Sequence, residues 1–237
     1  MSSVPSSAHP APTETLHPDH LSPTFFLDSG HPAVQAFTRE AVAGLPPRAT
    51  DVERAVALYY RVRDGIRYDP YSMRPERRAY QASTVLADGA AFCIPKANLL
   101  AAAARAVGIP AAIGLADVKN HLTTPKLRAL MDTDLFIHHG YTVLHLDGRW
   151  VKATPAFNIE LCEKFGVLPL EFDGRNDSLM HPYDAKQQRH MEYVQDHGWF
   201  LDFPFDRVMA DFRRAYPRLM EGAAAGGRFD EETPIQP

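Results

Sequence analysis

Apolar residues recur along this chain with two different periods, and the two periods predict its helices and strands. Spacings of three and four residues predict helices at about 31–44, 50–65, 82–88, from Cys93 onward, and at about 205–215. Short β-rich apolar runs predict strands near 110–117, 137–146, 149–154 and 167–172. The helices therefore cluster before residue 107 and the strands after it, with one helix following the strands.

The helix that begins at Cys93 has features that bear on chemistry. Pro95 suits a first helical turn, and Gly108 and Pro110 end the helix. Its apolar stripe, which predicts a helix packed on one side, consists of Ala97, Leu100, Ala101, Ala104 and Val107. A thiol at this end faces free backbone N–H groups and the positive end of the helix dipole, and Lys96 adds a nearby charge. We therefore expect a reactive thiolate at Cys93, with an inert core cysteine as the alternative.

Asp147-Gly148 separates two apolar, β-rich runs and predicts a hairpin with a two-residue turn. That turn sets His145 opposite Trp150 and would set Tyr141 opposite Thr154. His139 and Thr154 then project from the same face as diagonal neighbours, about 7–8 Å apart. His139 is thus a candidate base with Thr154 placed to orient it, the alternative being a structural histidine. His138 projects from the other face, so we expect the two histidines to have different roles.

Composition narrows the class of protein. The chain has 237 residues, 45% of them hydrophobic, and a net charge of −4, which gives no basic surface for nucleic acid. No apolar run is long enough to span a membrane, and no secretory signal is evident at the start. With two cysteines a disulfide framework is not indicated, so we expect a reduced, cytoplasmic protein.

The ends of the chain differ in composition from the part between them. Residues 1–23 carry almost no large apolar side chains, so we expect a disordered arm there. Residues 219–237 are rich in Gly and Ala and then acidic, and we expect a flexible tail. Between them, 24–218 should form one domain with an aromatic-rich C-terminal cover.

The region of roughly 50–158 resembles the transglutaminase-like superfamily, a branch of the papain-like thiol enzymes. The resemblance is carried by Cys93 at the start of an Ala/Leu-rich helix that ends in Gly108-Ile109-Pro110, by His139-Gly140-Tyr141, by Trp150-Val151 and by Thr154-Pro155. It implies an α+β fold of the papain-like/transglutaminase-like kind. In that fold N-terminal helices precede the cysteine, whose helix packs its N-terminus against an antiparallel sheet. It also implies a nucleophilic Cys93 with His139 as its general acid and base.

The chain departs from the family pattern at two places. Ala91 stands where the family usually has Gly, and Thr154 stands at the position of the catalytic Asp, offering a hydroxyl but no charge. Three outcomes are open: Thr154 orients a working Cys–His dyad, Asn158 substitutes for it, or activity is reduced and a binding scaffold remains. Gln81, upstream of Cys93, is a candidate side-chain donor for an oxyanion hole.

The resemblance and the residues together predict cysteine-dependent acyl transfer on a peptide or a small acyl compound. The Cys93 thiolate would form a thioester, and water or an amine would release it. Hydrolysis of an amide, including proteolysis, is favoured because water needs no second pocket. We expect no cofactor and no metal, because His138 and His139 diverge and His145 lies far along the strand. The alternative is a catalytically reduced scaffold that binds the same class of compound.

Overall fold

The computed structural model describes residues 16–120, 123–179, 191–221 and 227–235. Eight α-helices lie in these residues: α1 (Pro32–Val42), α2 (Asp51–Gly65), α3 (Ala82–Asp88), α4 (Cys93–Ala106), α5 (Pro125–Met131), α6 (Ile159–Phe165), α7 (Phe205–Ala215) and α8 (Pro217–Glu221). The strands are β1 (Arg67–Tyr68), β2 (Ala90–Ala91), β3 (Ala111–Asn120), β4 (Leu135–Leu146), β5 (Arg149–Ala153) and β6 (Met191–Phe200). The fold is therefore α+β, with N-terminal helices ahead of the main sheet.

The main sheet is antiparallel, with strand order β5-β4-β3-β6, while β1 and β2 form a short parallel pair. The predicted hairpin is confirmed, since Leu146 pairs with Arg149 and His145 with Trp150. Its turn residues Asp147 and Gly148 both have positive φ, as the tight turn between twisted strands requires. Regular pairing ends at Ala153, one residue before Thr154.

Helix α4 is the centre of the fold. Helices α1, α2 and α3 pack around it and β4 covers another side, so every residue from Cys93 to Arg105 is buried. The expected one-sided stripe was therefore wrong, because the alanines that form most of the helix allow neighbours to approach all round. Its polar side chains reach backbone carbonyls instead of water: Asn98 Nδ2 donates to Tyr80 O at 3.0 Å, and Arg105 donates to three carbonyl oxygens.

Several predicted elements differ from the structure. The strand expected at 167–172 is absent, because this stretch contains Pro169 and runs as a loop whose Leu170 carbonyl accepts from Tyr59 and Arg63. The strand that completes the sheet is β6 instead, an exposed edge strand with too little apolar alternation to be recognised. Helices α5, α6 and α8, of seven, seven and five residues, were not predicted either.

The described parts of the expected arm and tail are packed against the domain. His20 is buried and its ring lies 4.8 Å from that of Trp150, while Leu219 and Phe229 are also buried. Residues 1–15, 222–226 and 236–237 lie outside the described residues, so the prediction of disorder there is not tested.

Gly140 allows β4 to meet the start of α4. A Cβ at this position would lie 2.7 Å from the Ile94 Cα atom, a distance that real Cβ contacts do not reach. The main chains of the strand and the helix therefore approach at the residue that follows His139 and beside the residue that follows Cys93. This close approach sets the distance between the two segments on which the predicted site depends.

Replacing Gly140 with Ala should force the two main chains apart. We expect Gly140→Ala to lower the free energy of unfolding by about 1–3 kcal/mol, the usual cost of overpacking. Gly44→Ala is the control, since a Cβ there meets nothing within 4 Å. Urea unfolding of the two variants checks this, and equal stability of both would contradict the close approach.

Candidate active site

Cys93 is the first residue of α4, and its side chain lies in a mostly buried position, 8% exposed. Burial raises the pKa of the Cys93 thiol to about 11, although the backbone N–H groups of Gly140, Ile94 and Cys93 itself act in the opposite direction. The thiol is therefore protonated at neutral pH in the resting protein. Burial therefore opposes the thiolate that the sequence predicts, and desolvation outweighs the helix N-terminus.

The expected contribution of Lys96 was also wrong. Its Nζ donates to Arg63 O at 2.8 Å and to the carbonyl of Ile66, at the end of α2, so its charge is directed away from the thiol. Burial lowers the pKa of Lys96 to about 7, although Asp64 acts to raise it. This lysine satisfies the carbonyls at a helix end rather than activating Cys93.

His139 lies on β4 and is 4% exposed. Burial lowers its pKa to about 4, so the imidazole is neutral at pH 7 and can accept a proton. Its Nε2 atom is buried and has no hydrogen-bond partner among the described residues. Cys93 and His139 line the same cavity, which has a volume of about 40 Å³. The structure therefore brings the predicted nucleophile and base to one place.

Thr154 is buried directly after β5, and its Oγ1 atom also has no partner within the described part of the chain. Its main chain is held firmly: the N–H donates to Ser178 O at 2.8 Å, and the carbonyl accepts from the Tyr59 hydroxyl at 3.2 Å. The hydroxyl is thus not hydrogen-bonded to His139. Thr154 Oγ1 and His139 Nε2 are both buried without a hydrogen-bond partner among the described residues.

The two supporting candidates are engaged elsewhere. The Oδ1 atom of Asn158 accepts from the backbone N–H of Tyr68 at 3.1 Å, at the start of α6. The Nε2 atom of Gln81 donates to Phe25 O at 3.0 Å. Neither residue is among those that line the cavity with Cys93. The structure therefore does not bring Asn158 or Gln81 to the thiol.

Apart from His138, the remainder of the cavity wall is apolar or aromatic, and the sequence patterns did not reveal it. Its members come from β1 and the loop after it, from the residue before α4, from α5, β4, α7 and α8, and from the residue between α7 and α8: Tyr68, Pro70, Met73, Phe92, Leu127, Met131, Phe136, Ile137, His138, Phe212, Tyr216 and Leu219. Helix α5 supplies Leu127 and Met131 to this wall. Such a wall favours an apolar group over a charged one.

The C-terminal segment 227–235 packs over this wall. The Phe229 ring lies 5.9 Å from that of Tyr68 and 6.0 Å from that of Tyr71. Glu232 accepts from the Tyr71 hydroxyl at 3.0 Å and forms an ion pair with Lys126 at the start of α5. These contacts join the segment after β1 to the start of α5, two of the segments that supply the cavity wall.

With this geometry established, comparison with known proteins identifies the family. The family model of the transglutaminase-like superfamily matches residues 35–155, just over half of the chain, and spans both Cys93 and His139. The chain belongs to the transglutaminase-like superfamily. The fold is thus transglutaminase-like, as the sequence predicted. A search of curated proteins finds no match.

Two solved structures are similar to this transglutaminase-like chain. One is a putative cysteine protease from Cytophaga hutchinsonii, at 16% identity and a TM-score of 0.45, covering 78% of this chain and 54% of that one. The other is arylamine N-acetyltransferase from Salmonella typhimurium, at 14% identity and a TM-score of 0.44, covering 82% of this chain and 70% of that one. The chain thus spans about half the length of the Cytophaga structure.

The buried thiol predicts slow alkylation. In a Cys162→Ala background, which removes the other free cysteine, iodoacetamide should modify Cys93 about 300-fold more slowly at pH 7 than it modifies an ordinary thiol of pKa about 8.5. The rate should rise about tenfold per pH unit up to about pH 10, as thiolate forms. Intact mass measured against pH checks this. A plateau already reached near pH 8, with free cysteine as the reference, would show an activated thiolate instead.

Proposed function

We propose that this protein catalyses acyl transfer through a thioester on Cys93, with His139 as the group that accepts and returns the proton. The observation that carries the proposal is the shared cavity: a buried thiol and a buried neutral imidazole line it together. Membership of the transglutaminase-like superfamily supports cysteine-based acyl transfer at the level of the family.

The proposed steps follow from the two protonation states. The Cys93 sulfur attacks an acyl carbonyl while its proton moves to the His139 imidazole, so a C–S bond forms as charge develops on the carbonyl oxygen. Backbone N–H groups at the start of α4 are the donors for that oxygen. The intermediate collapses to a thioester, and the leaving group takes the proton from the imidazolium. Water then attacks the thioester carbonyl with His139 as base. The C–S bond breaks, the acyl group leaves as a carboxylic acid, and the imidazolium returns its proton to the Cys93 sulfur.

We propose an ester or amide with a small apolar acyl group as substrate, and hydrolysis as the outcome. The wall is almost entirely apolar and encloses little space, which favours a small apolar acyl group over an extended peptide. A volume of about 40 Å³ holds little more than one or two water molecules, so even a small acyl group requires some opening. Since the proposed chemistry needs a free thiol, a cytoplasmic location is part of the same proposal.

A second candidate function is a binding scaffold with little or no turnover. Three observations favour it: Thr154 replaces the usual carboxylate, Nε2 of His139 has no partner in the described chain, and the pKa of the thiol is raised to about 11. A scaffold would retain the apolar cavity and bind the acyl compound without forming a thioester. The two candidates differ in whether a covalent adduct appears.

The first test is acylation with an activated ester, p-nitrophenyl hexanoate. We expect one hexanoyl adduct that hydroxylamine releases, mapped to Cys93 by mass spectrometry. Cys93→Ala should abolish it, and Cys162→Ala should leave it unchanged. His139→Gln should slow acylation by about 10²–10⁴-fold, the usual contribution of general base catalysis. An adduct that follows Cys162, or no adduct at any pH between 6 and 9, would contradict the proposed enzyme.

The second test restores the family's carboxylate. A carboxylate at this position stabilises the imidazolium, so Thr154→Asp should accelerate acylation of Cys93 by about tenfold, equivalent to about 1.4 kcal/mol. Thr154→Asn is the matched control, with the same shape but no charge. Stopped-flow release of p-nitrophenol measures both. If Asn and Asp accelerate the step equally, the effect is not electrostatic, and if neither variant reacts, the scaffold is favoured.

A further inference from the structure

We propose that Asp117, His138, His197 and Asp211 form a binding site for a divalent transition-metal ion of the zinc class, beside the Cys93 cavity. The first three come from β3, β4 and β6, and Asp211 comes from α7. One ligand atom from each of Asp117, His138 and His197 lies within 4.8 Å of the others. All four residues line one cavity of about 320 Å³, which shares Ile137 and His138 with the apolar one.

The backbone is distorted on three strands where these side chains meet. Pairing of β3 with β4 shifts between Ala116 and Val118, and pairing of β3 with β6 shifts between Asp117 and Val118. His138 has a φ of 54°, which is uncommon for any residue except glycine. Bulges redirect side chains and occur near functional sites. Here they bring Asp117, His138 and His197 together, which regular alternation would not do.

The existing contacts pair each imidazole with a carboxylate. His138 Nε2 lies 2.7 Å from an Asp211 oxygen, and His197 Nε2 lies 2.7 Å from Asp117 Oδ1. The two histidine rings are 4.6 Å apart at their centres, and the buried Nδ1 atom of His138 has no partner among the described residues. Metal ligands sit about 2.0–2.2 Å from a zinc ion, so small side-chain rotations would bring the donor atoms around one ion.

The donor set and its charge decide which ion fits. Two imidazoles and two carboxylates suit Zn²⁺ and its neighbours, whereas Mg²⁺ and Ca²⁺ prefer oxygen ligands alone. Asp117 and Asp211 bring two negative charges. Among the described residues that line this cavity, Arg214, which contacts Asp211, is the one cation. The Arg214 side chain is 76% exposed, so it offsets the negative charges of Asp117 and Asp211 only weakly. A divalent ion would balance both carboxylates.

Such an ion would connect the sheet to the wall of the other cavity. His138 lines both cavities, and Asp211 lies on α7 one residue before the wall residue Phe212. The Tyr216 hydroxyl accepts from the Ile137 N–H at 2.6 Å and donates to Leu135 O at 2.7 Å. It therefore satisfies two backbone groups of β4 next to the bulge. We infer a structural ion that fixes α7 against β4.

The test is Co²⁺ binding to the full chain carrying Cys93→Ala and Cys162→Ala, after treatment with a chelator. We expect one equivalent of Co²⁺ with visible absorption typical of nitrogen and oxygen ligands, displaced by Zn²⁺. Zn²⁺ at a hundredfold above its Kd should raise Tm by about 5–10 °C. Because both thiols are absent, the result does not depend on the proposed acyl transfer.

Variants identify the ligands. In the same background His197→Gln and Asp117→Asn should each lose the Co²⁺ spectrum and the Zn²⁺-dependent rise in Tm, while circular dichroism confirms that they are folded. His145→Gln is the control, because the His145 ring contacts Trp150 edge-on in the hairpin and lies outside the cluster. Absence of binding in the parent, or binding that persists in both ligand variants, would overturn the proposal and leave two hydrogen-bonded His–Asp pairs.

Discussion

The close approach of β4 to the start of α4 at Gly140 is the constraint on which the site depends. Cys93 and His139 are far apart along the chain, and each is the immediate neighbour of a residue at this contact, Ile94 or Gly140. Only a residue without a Cβ permits the approach. The helices around α4 hold its N-terminus in place, and the hairpin holds β4, so two separately formed segments meet at one point.

Burial then determines the chemistry at that point. The same packing that brings Cys93 and His139 to one cavity excludes water from both, and burial opposes charge on each: the thiol keeps its proton and the imidazole stays neutral. The helix N-terminus favours a thiolate but does not overcome this. Burial therefore opposes the reactive thiolate that the sequence predicted and leaves a neutral thiol beside a neutral imidazole.

The sequence predicted well what depends on local pattern and short-range geometry. The hairpin register followed from Asp147-Gly148, and the helix at Cys93 from its spacing and its terminal Gly and Pro. It predicted poorly what depends on packing between distant segments. Lys96 was assigned to the thiol because the two are close in sequence, yet it turns to the end of α2. The edge strand β6 lacks an apolar pattern, so its His197 could not be placed beside Asp117 and His138.

Adjacent histidines illustrate why spacing alone was insufficient. Alternation predicts that His138 and His139 lie on opposite faces, yet both line the Cys93 cavity. Alternation also gives no sign of the bulge at which His138 has a positive φ and contacts α7. The histidines from which the sequence predicts no metal site, His138, His139 and His145, all lie on one strand. Asp117, His138 and His197 instead come from three different strands.

The missing carboxylate also bears on which acyl bond the proposed enzyme would cleave. With Thr154 in place of Asp, the family's carboxylate is missing, so the imidazolium that would form in the proposed attack by Cys93 should be less stable. An amide leaves as an amine and needs the imidazolium to persist until it donates its proton, whereas an ester leaves as an alkoxide or phenoxide that depends on it less. Neutral Thr154 and an apolar wall therefore favour an ester, or another activated acyl compound, over a peptide bond.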